Sequence, residues 1–599
     1  MCGIIGYITN SDNQNLEKKF DFYFNQQNHR GPDYKQKLKF SLDKNNVCLG
    51  FNRLSIIDTS PSSNKIFNNN DYSLLFNGEI YNFLYLKKKY LSEHKLETST
   101  DTEVLFKLLI LKKEKIFEEL EGMFSIVFLN KKNKTLILSR DYTGIKPLYY
   151  SIYSNGIFFS SEAWFQYSIS SRELDFNKLN FFLKFGFNHY SSTLIKNVKK
   201  VCPSEYIIFD IEGKKIEKKR YFSLKKQSEK NDIDGNTFQE LIDNVVKKNL
   251  ISDRKVGVFL SGGIDSAVIA STAKKFNPDI EAFTSYIEPQ NNFEKFNFEI
   301  KYAERLAKYL GIKLNKCPIN TNSKTQKEEL INLILSFDEP LANLNSFNSY
   351  FQSKKASEND CRVVLTGDGA DEIFGGYDRY KKIFIAQKLK ILNSFNKKIR
   401  NINQISSKNI PFHFYDYLNP SKYKKIFCED FAFASIKLNL PEDLNKINMM
   451  NYFDINYWLP EESNFKLDRT SMINSVEGRV PFQDIQLLKK IFPINYNKKN
   501  SFLENKIFLK KYIKDIPKFV KKRKKHGWFS PESFYLRNYL KDFFFETFNE
   551  ENVKNQKIFN SKEIFKLYND HYSQRKYYKN EILTLLSFQT WYNKVLKIL

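Results

Sequence analysis

The chain has 599 residues, with 95 Lys and Arg against 68 Asp and Glu for a formal charge of +27; 41% of it is hydrophobic and 27% charged. That length and balance suit a soluble globular protein with two or more cored domains. The lysines are spread among Asn, Ile, Phe and Tyr with no basic-plus-aromatic reader motif, which argues against a nucleic-acid-binding module, and six scattered cysteines with no Cys-x-x-Cys pair argue against a zinc site or a disulfide framework.

The start, Met1-Cys2-Gly3-Ile4-Ile5-Gly6, is too short for a signal peptide and has no basic flank. No apolar run is long enough to span a membrane. Reduced cysteines and the absence of such segments predict a cytoplasmic protein with no membrane partner. Ile4 to Thr9 reads as a buried strand, which ties Cys2 into a sheet. Once Met1 is removed, Cys2 carries both a thiol and a free α-amine, a nucleophile with its own proton relay.

Later segments suit a glutamine substrate. Arg53 ends a strand-like run, Leu49 to Arg53; Asn77-Gly78 follows the apolar run Leu74-Leu75-Phe76; Thr100-Asp101-Thr102-Glu103 reads as a helix start with Asp101 in the first turn. Glutamine hydrolysis needs a carboxylate clamp, an ammonium clamp and an oxyanion hole. Arg53 fits the first by bidentate pairing, Asp101 the second, and the Asn77 amide with the Gly78 N–H the third.

These residues, with Arg30-Gly31-Pro32-Asp33, Asn77-Gly78-Glu79-Ile80-Tyr81-Asn82, Leu120 to Ser125, Ser139 to Tyr150 and Phe158 to Glu162, occur in the order of a class II glutamine amidotransferase domain, which the chain resembles. The resemblance implies an αββα Ntn-hydrolase sandwich over residues 2–210 with Cys2 as nucleophile, and adds Glu79 to the glutamine-binding set. Residues 211–236, which begin strand-like and basic and become polar and charged from Lys225, are read as a linker.

From Thr237 a helical pattern (Phe238, Leu241, Ile242, Val245, Val246) leads to Val256-Gly257-Val258-Phe259-Leu260-Ser261-Gly262-Gly263-Ile264-Asp265-Ser266. Strand, small-residue loop and helix start together cradle phosphate. No Gly-Lys-Ser/Thr follows, so this is not a Walker A motif. A plain βα turn has the same letters; Asp265, a carboxylate in a phosphate loop, requires a bridging cation such as Mg2+. Ala282 to Ile287 reads as the next parallel strand, and Phe298 to Leu310 as a helix closed by Gly311. Arg362 to Leu365 is another buried strand, running into Thr366-Gly367-Asp368-Gly369-Ala370-Asp371. Alternating strands and helices predict a doubly wound parallel α/β sheet.

This second half resembles the synthetase domain of the glutamine-hydrolysing asparagine synthetase family, with its PP-loop fold; Asp338-Glu339-Pro340, Leu467 to Met472, Val476 to Phe482 and Arg523 to Trp528 continue the match. The resemblance implies an ATP-dependent amide-forming domain over 237–599. ATP would be bound by Leu260, Ser261, Gly262, Gly263, Asp265, Ser266, Ser285, Thr366, Gly367 and Lys525. Mg2+ would be held by Asp265 and Asp371, and Asp368 would serve catalysis. Glutamine, ATP and aspartate are the implied substrates, and a homodimer the implied assembly. The chain departs from the family at Ser285-Tyr286, at Leu341 to Ser346, and at Gly478 and Gln483. The alternative with the same machinery is an amidotransferase acting on another carboxylate, such as a uronic acid in surface-polysaccharide assembly. Residues 381–448 and 541–599 carry no motif; the latter reads as helical.

Overall fold

The computed structural model describes residues 2–598 except 12–13, 154–155, 213, 225–232, 290–292, 389–396, 420–421, 430, 432–435, 524–529 and 555. The first part of the chain forms strands β1 (Cys2–Thr9), β2 (Tyr34–Leu42), β3 (Asn45–Arg53), β4 (Phe67–Asn68), β5 (Tyr72–Ile80), β6 (Gly122–Asn130), β7 (Thr135–Arg140), β8 (Tyr149–Tyr153), β9 (Gly156–Ser160), β10 (Val198–Lys200), β11 (Glu205–Asp210) and β12 (Lys215–Arg220). They build two six-stranded sheets, ordered β10-β8-β9-β1-β3-β2 and β12-β11-β7-β6-β5-β4, antiparallel throughout.

Helices α1 (Gln14–Gln26), α2 (Phe83–Tyr90), α3 (Asp101–Lys112) and α4 (Trp164–Ile169) cover the outer faces. The alternation of side chains along β1 shows why. Ile4 and Ile8 join Leu75, Val127, Leu138 and Phe209 in a core between the sheets. Ile5 turns the other way, onto Phe20 and Phe24 of α1 and Phe165 of α4. Beyond the second sheet, Leu74, Phe76 and Phe128 meet Leu105, Leu108 and Leu109 of α3. The result is the expected αββα sandwich.

Strand β12 lies inside the stretch read as linker, yet it pairs with β11 as an edge of the second sheet. All six of its residues are exposed, so it lacks the alternation that marks a strand, and its lysines guard an open sheet edge.

The second part forms a five-stranded sheet of β13 (Lys255–Phe259), β14 (Glu281–Glu288), β15 (Lys313–Asn320), β16 (Cys361–Leu365) and β17 (Glu477–Arg479), ordered β15-β14-β13-β16-β17. All its pairings are parallel. Val256 and Val258 pack with Val268, Ala303 and Leu306 of the Ile264–Phe276 and Phe298–Leu310 helices. Phe259, Phe283 and Val364 face the other way, onto Ala356 of the Ser346–Glu358 helix and onto Met123 and Ile145 of the first domain. The sheet is therefore doubly wound, as expected. Chain order reverses between β13 and β16, and ligands bind in the crevice at such a switch point.

The stretch beyond Lys541 forms the helices Lys541–Thr547, Ser561–Tyr572 and Lys579–Leu596, among others. In the last of these, Trp591 Nε1 donates to the Asp338 carbonyl at 2.9 Å, and its ring meets Tyr167 of the first domain edge-on at 5.7 Å. Among the described residues no helix is long and apolar enough to cross a membrane.

Candidate functional site

Two clusters of sequence-predicted residues form, one in each domain. In the first, the β1–β3 register sets Cys2 opposite Arg53. The Cys2 backbone N–H donates to Asn77 Oδ1 at 2.9 Å, and Asn77 Nδ2 donates to Ser125 Oγ at 3.4 Å. Gly78 follows on β5, where a Cβ would lie 2.0 Å from the Met123 carbonyl oxygen, so only glycine lets β5 and β6 approach here. Burial pushes the Cys2 thiol above its ordinary value, which leaves it a neutral thiol in need of a base.

Asp101 opens α3 behind the Thr100 cap, as expected. Its Oδ2 accepts the Ile80 N–H at 2.8 Å, and burial raises its carboxyl to about 6. Glu79 is buried beside it. Burial first, then the negative charges of Asp101 and Glu477, drive its carboxyl well above the ordinary range. An arriving ammonium group would relieve that crowding of acids. Arg53 is more committed than its expected clamp role requires. Nη1 donates to Ser63 Oγ (2.8 Å) and Asn64 Oδ1 (2.5 Å), and Nη2 to the carbonyls of Ile57 (2.9 Å) and Asp58 (2.8 Å). A carboxylate reaches this guanidinium only through Nε or by displacing bonds that hold the 57–64 loop.

In the second cluster, the loop after β13 folds on itself. Ser261 N–H donates to Ser266 Oγ (3.2 Å), the two serine hydroxyls lie 3.1 Å apart, and Gly263 N–H donates to Ser261 Oγ (3.3 Å). Gly262 has φ +69° and abuts the backbone of Tyr302 and Ala303, so both conformation and space demand glycine. Leu260 is buried, its N–H bonded to the Phe283 carbonyl at 2.9 Å. Ser285 lies farther along β14, its hydroxyl buried with no hydrogen-bond partner among the described residues. The loop after β16 touches this one: a Cβ on Gly367 would lie 2.9 Å from Asp265 Cβ. Thr366 Oγ1 donates to Asp368 Oδ2 at 2.7 Å, and Ser463 Oγ to Asp368 Oδ1 at 3.2 Å. Lys525 lies outside the described residues.

Asp265 and Asp371 do come together, but around a side chain the sequence did not single out. Lys506 Nζ lies 2.6 Å from Asp265 Oδ1 and 2.5 Å from Asp371 Oδ1. The lysine side chain is 3% exposed, the carboxylates 23% and 20%. Against the penalty of burial, the two carboxylates raise the Lys506 ammonium above the ordinary lysine value. Among the described residues no group of three or more His, Cys, Asp or Glu forms a metal cluster. The pair nevertheless converges on one positive charge, as two ligands of a phosphate-bound Mg2+ would, since that ion takes its remaining ligands from phosphate and water.

Between the clusters runs a sealed polar interface. Arg30 is fully buried and grips Asp468 through both terminal nitrogens, at 2.9 and 3.0 Å. Arg469 grips Asp338 side-on, through Nε at 2.6 Å and Nη2 at 2.7 Å. Arg30 Nε also donates to the Cys2 carbonyl at 3.4 Å. Beside these pairs lies a cavity offering ≈ 10 Å³ to the centre of a water-sized sphere, lined in part by Arg140, Tyr149, Lys200, Glu461 and Arg469. It has room for one molecule of that size.

Comparison with known proteins agrees with this two-part arrangement. Residues 1–222 match the model of the glutamine amidotransferase domain family, and residues 237–593 that of the asparagine synthase family. The chain is 29% identical to asparagine synthetase [glutamine-hydrolyzing] 1 of Bacillus subtilis, covering 99% of this chain and 96% of that protein. It is 28% identical to the putative asparagine synthetase [glutamine-hydrolyzing] 2 of Methanocaldococcus jannaschii, over 80% and 100% of the two chains. A further Bacillus subtilis protein, asparagine synthetase [glutamine-hydrolyzing] 3, is 26% identical over 88% and 86%.

Proposed function

The chain belongs to the asparagine synthase family, and we propose that it converts aspartate to asparagine with ATP and glutamine. The observation that carries the reading is the meeting of the Ser261–Ser266 and Thr366–Asp371 loops at the switch point, in a chain whose other domain holds Cys2 beside Asn77. At the first domain, water cleaves glutamine to glutamate and ammonia through a Cys2 thioester. The Cys2 sulfur attacks the side-chain amide carbon, and the oxyanion forms near Asn77. Glu79 and Asp101 take the α-ammonium, and Arg53 the α-carboxylate.

At the second domain the acceptor carboxylate attacks the α-phosphorus of ATP and pyrophosphate leaves. Backbone N–H groups and hydroxyls of the Ser261–Ser266 loop hold phosphate oxygens. Mg2+, held by Asp265 and Asp371, would neutralise the departing pyrophosphate. Lys506 holds positive charge at the same place. Ammonia then displaces AMP from the acyl-adenylate, with Asp368 near enough to Thr366 and Ser463 to be fixed as the acceptor of the released proton. The interface sealed by Arg30–Asp468 keeps ammonia out of bulk water, where it would be protonated and lost as a nucleophile. Among the described residues the cysteines form no disulfide, which supports work in a reducing compartment.

The test is pyrophosphate release with ATP and glutamine, comparing aspartate with uronic acids as acceptors. Release with aspartate, matched by asparagine formation, is expected. Silence with aspartate overturns the reading.

A further inference from the structure

The segment Val476-Glu477-Gly478-Arg479 takes no part in the chemistry above. Arg479 is nevertheless fully buried, and its two ends face different sites. Its carbonyl accepts the Thr366 N–H at 2.9 Å, at the base of the loop whose Thr366 hydroxyl holds Asp368 at 2.7 Å. Its guanidinium points toward the first domain. Nε donates to Glu477 Oε1 at 2.6 Å, and Nη1 donates to the carbonyls of Asn249 and Ile251 at 2.7 Å each. Nη2 stops 3.7 Å from Glu79 Oε1.

That last gap is the informative one. Both Arg479 Nη2 and Glu79 Oε2 are buried without a hydrogen-bond partner among the described residues. Unpaired buried polar atoms are costly and rare. Here the orphaned donor stands just beyond bonding distance of one oxygen of the carboxylate whose other oxygen is orphaned. A shift of a few tenths of an ångström along β17 closes the gap. The Thr366 loop can transmit such a shift, because β16 and β17 are paired from Val363 through Leu365.

We propose that Arg479 is a positioning residue that couples the two sites: its backbone follows the Thr366–Asp368 loop, and its guanidinium sets the Glu79 carboxylate that receives glutamine. The inference rests on the two-site reading above and deepens it. When the acyl site is loaded, Arg479 closes on Glu79, holds it ionised and oriented, and glutamine binds. When that site is empty, Glu79 stays loosely held and glutamine is spared. Coupling of this kind needs a connected element that both sites bias. Arg479 on β17 is such an element, its backbone fastened to the nucleotide loop and its side chain facing the glutamine pocket.

The experiment measures glutamate formed per pyrophosphate released, and the glutamine KM with and without ATP and aspartate. Wild-type protein is expected to keep the two products in step and to bind glutamine more tightly when ATP and aspartate are present. Arg479→Lys keeps the charge but loses the planar fork. It is expected to raise the glutamate-to-pyrophosphate ratio about fivefold or more, the low end of ordinary coupling between sites, and to make the glutamine KM indifferent to ATP. Glu477→Gln, nearly isosteric, loosens the guanidinium without removing it. It should shift the ratio in the same direction, and carries the test if Arg479→Lys does not fold. A purely structural role would lower both products together and leave the ratio alone, which overturns the inference. Wild-type protein that releases no pyrophosphate with any carboxylate overturns the activity itself, and this inference with it.

Discussion

Replacing Lys506 with methionine removes the ammonium that lies between Asp265 and Asp371 while keeping most of the buried stem. The lysine is almost wholly buried, and each carboxylate oxygen sits within 2.6 Å of its nitrogen. Breaking a fully buried charge pair costs about 3–5 kcal/mol. Both carboxylates are roughly one-fifth exposed, so water screens part of that loss, and about 2–3 kcal/mol is the better figure. Separately, because Lys506 holds positive charge where pyrophosphate departs, its loss should lower aspartate- and ammonia-supported pyrophosphate release by about 100-fold or more, as loss of one preorganised electrostatic group does. Two carboxylates left facing each other would also bind a divalent cation more tightly, so the variant should reach half-maximal rate at lower Mg2+ than wild type. The assay is pyrophosphate release titrated with Mg2+, with glutamine hydrolysis followed in parallel. A rate within threefold of wild type, or an equal loss in both assays, refutes the reasoning.

Three other outcomes are expected. Cys2→Ala should abolish glutamine-supported synthesis and leave ammonia-supported synthesis intact; loss of both would contradict two separable sites. Asp468→Asn breaks the buried grip on Arg30 and should destabilise the protein by about 3 kcal/mol in chemical denaturation near neutral pH. Against the penalty of burial, Arg30 and Arg469 hold the Asp468 carboxyl below its ordinary value. Its contribution is therefore complete above about pH 5 and is lost as pH falls, so the gap between variant and wild type should narrow toward about pH 3. Lys499 is buried, with Nζ 3.0 Å from the Ile373 carbonyl, and burial pushes its ammonium down to about 7. Between that pH and the ordinary lysine value of about 10.4 the unfolded chain binds more protons, so wild-type stability should climb by up to about 1.4 kcal/mol per pH unit. Lys499→Met should lack that climb, and parallel stability curves for the two proteins would exclude the effect.

What the sequence revealed was chemistry held in short windows. Strand, small-residue loop and helix start are local, so the Ser261 and Thr366 loops could be placed at strand ends, and Asp101 behind its Thr100 cap, from neighbours alone. Asp265 and Asp371 were legible as a pair because carboxylates in phosphate loops need a shared cation. Lys506 was not, since Asn505-Lys506-Ile507 looks like any other lysine in a chain with this many, and its burial arises only from tertiary packing. Arg30 and Asp468 both stood within recognised motifs, but nothing local says that they meet across the interface. The strand-like character of β12 was legible, but its place at the edge of the second sheet rather than in a linker was not, because exposure along its length leaves no alternation to mark a buried face. The 541–599 stretch read correctly as helical, while its grip on the Asp338–Leu344 loop depends on contacts with residues far away in sequence.

That grip bears on when the protein becomes functional during its own synthesis. The amidotransferase sandwich and the nucleotide sheet are complete well before the helix Lys579–Leu596 is translated, at the roughly 5–20 residues per second of chain elongation. Only then can Trp591 meet Tyr167 and the Asp338 carbonyl. A nascent chain stalled before that helix would carry a finished glutamine pocket beside an Asp338 segment held by Arg469 but lacking its contact with Trp591. Messages lacking their last codons, or tags that pull on this helix, should therefore yield protein that keeps a folded glutamine pocket but is impaired in making amide.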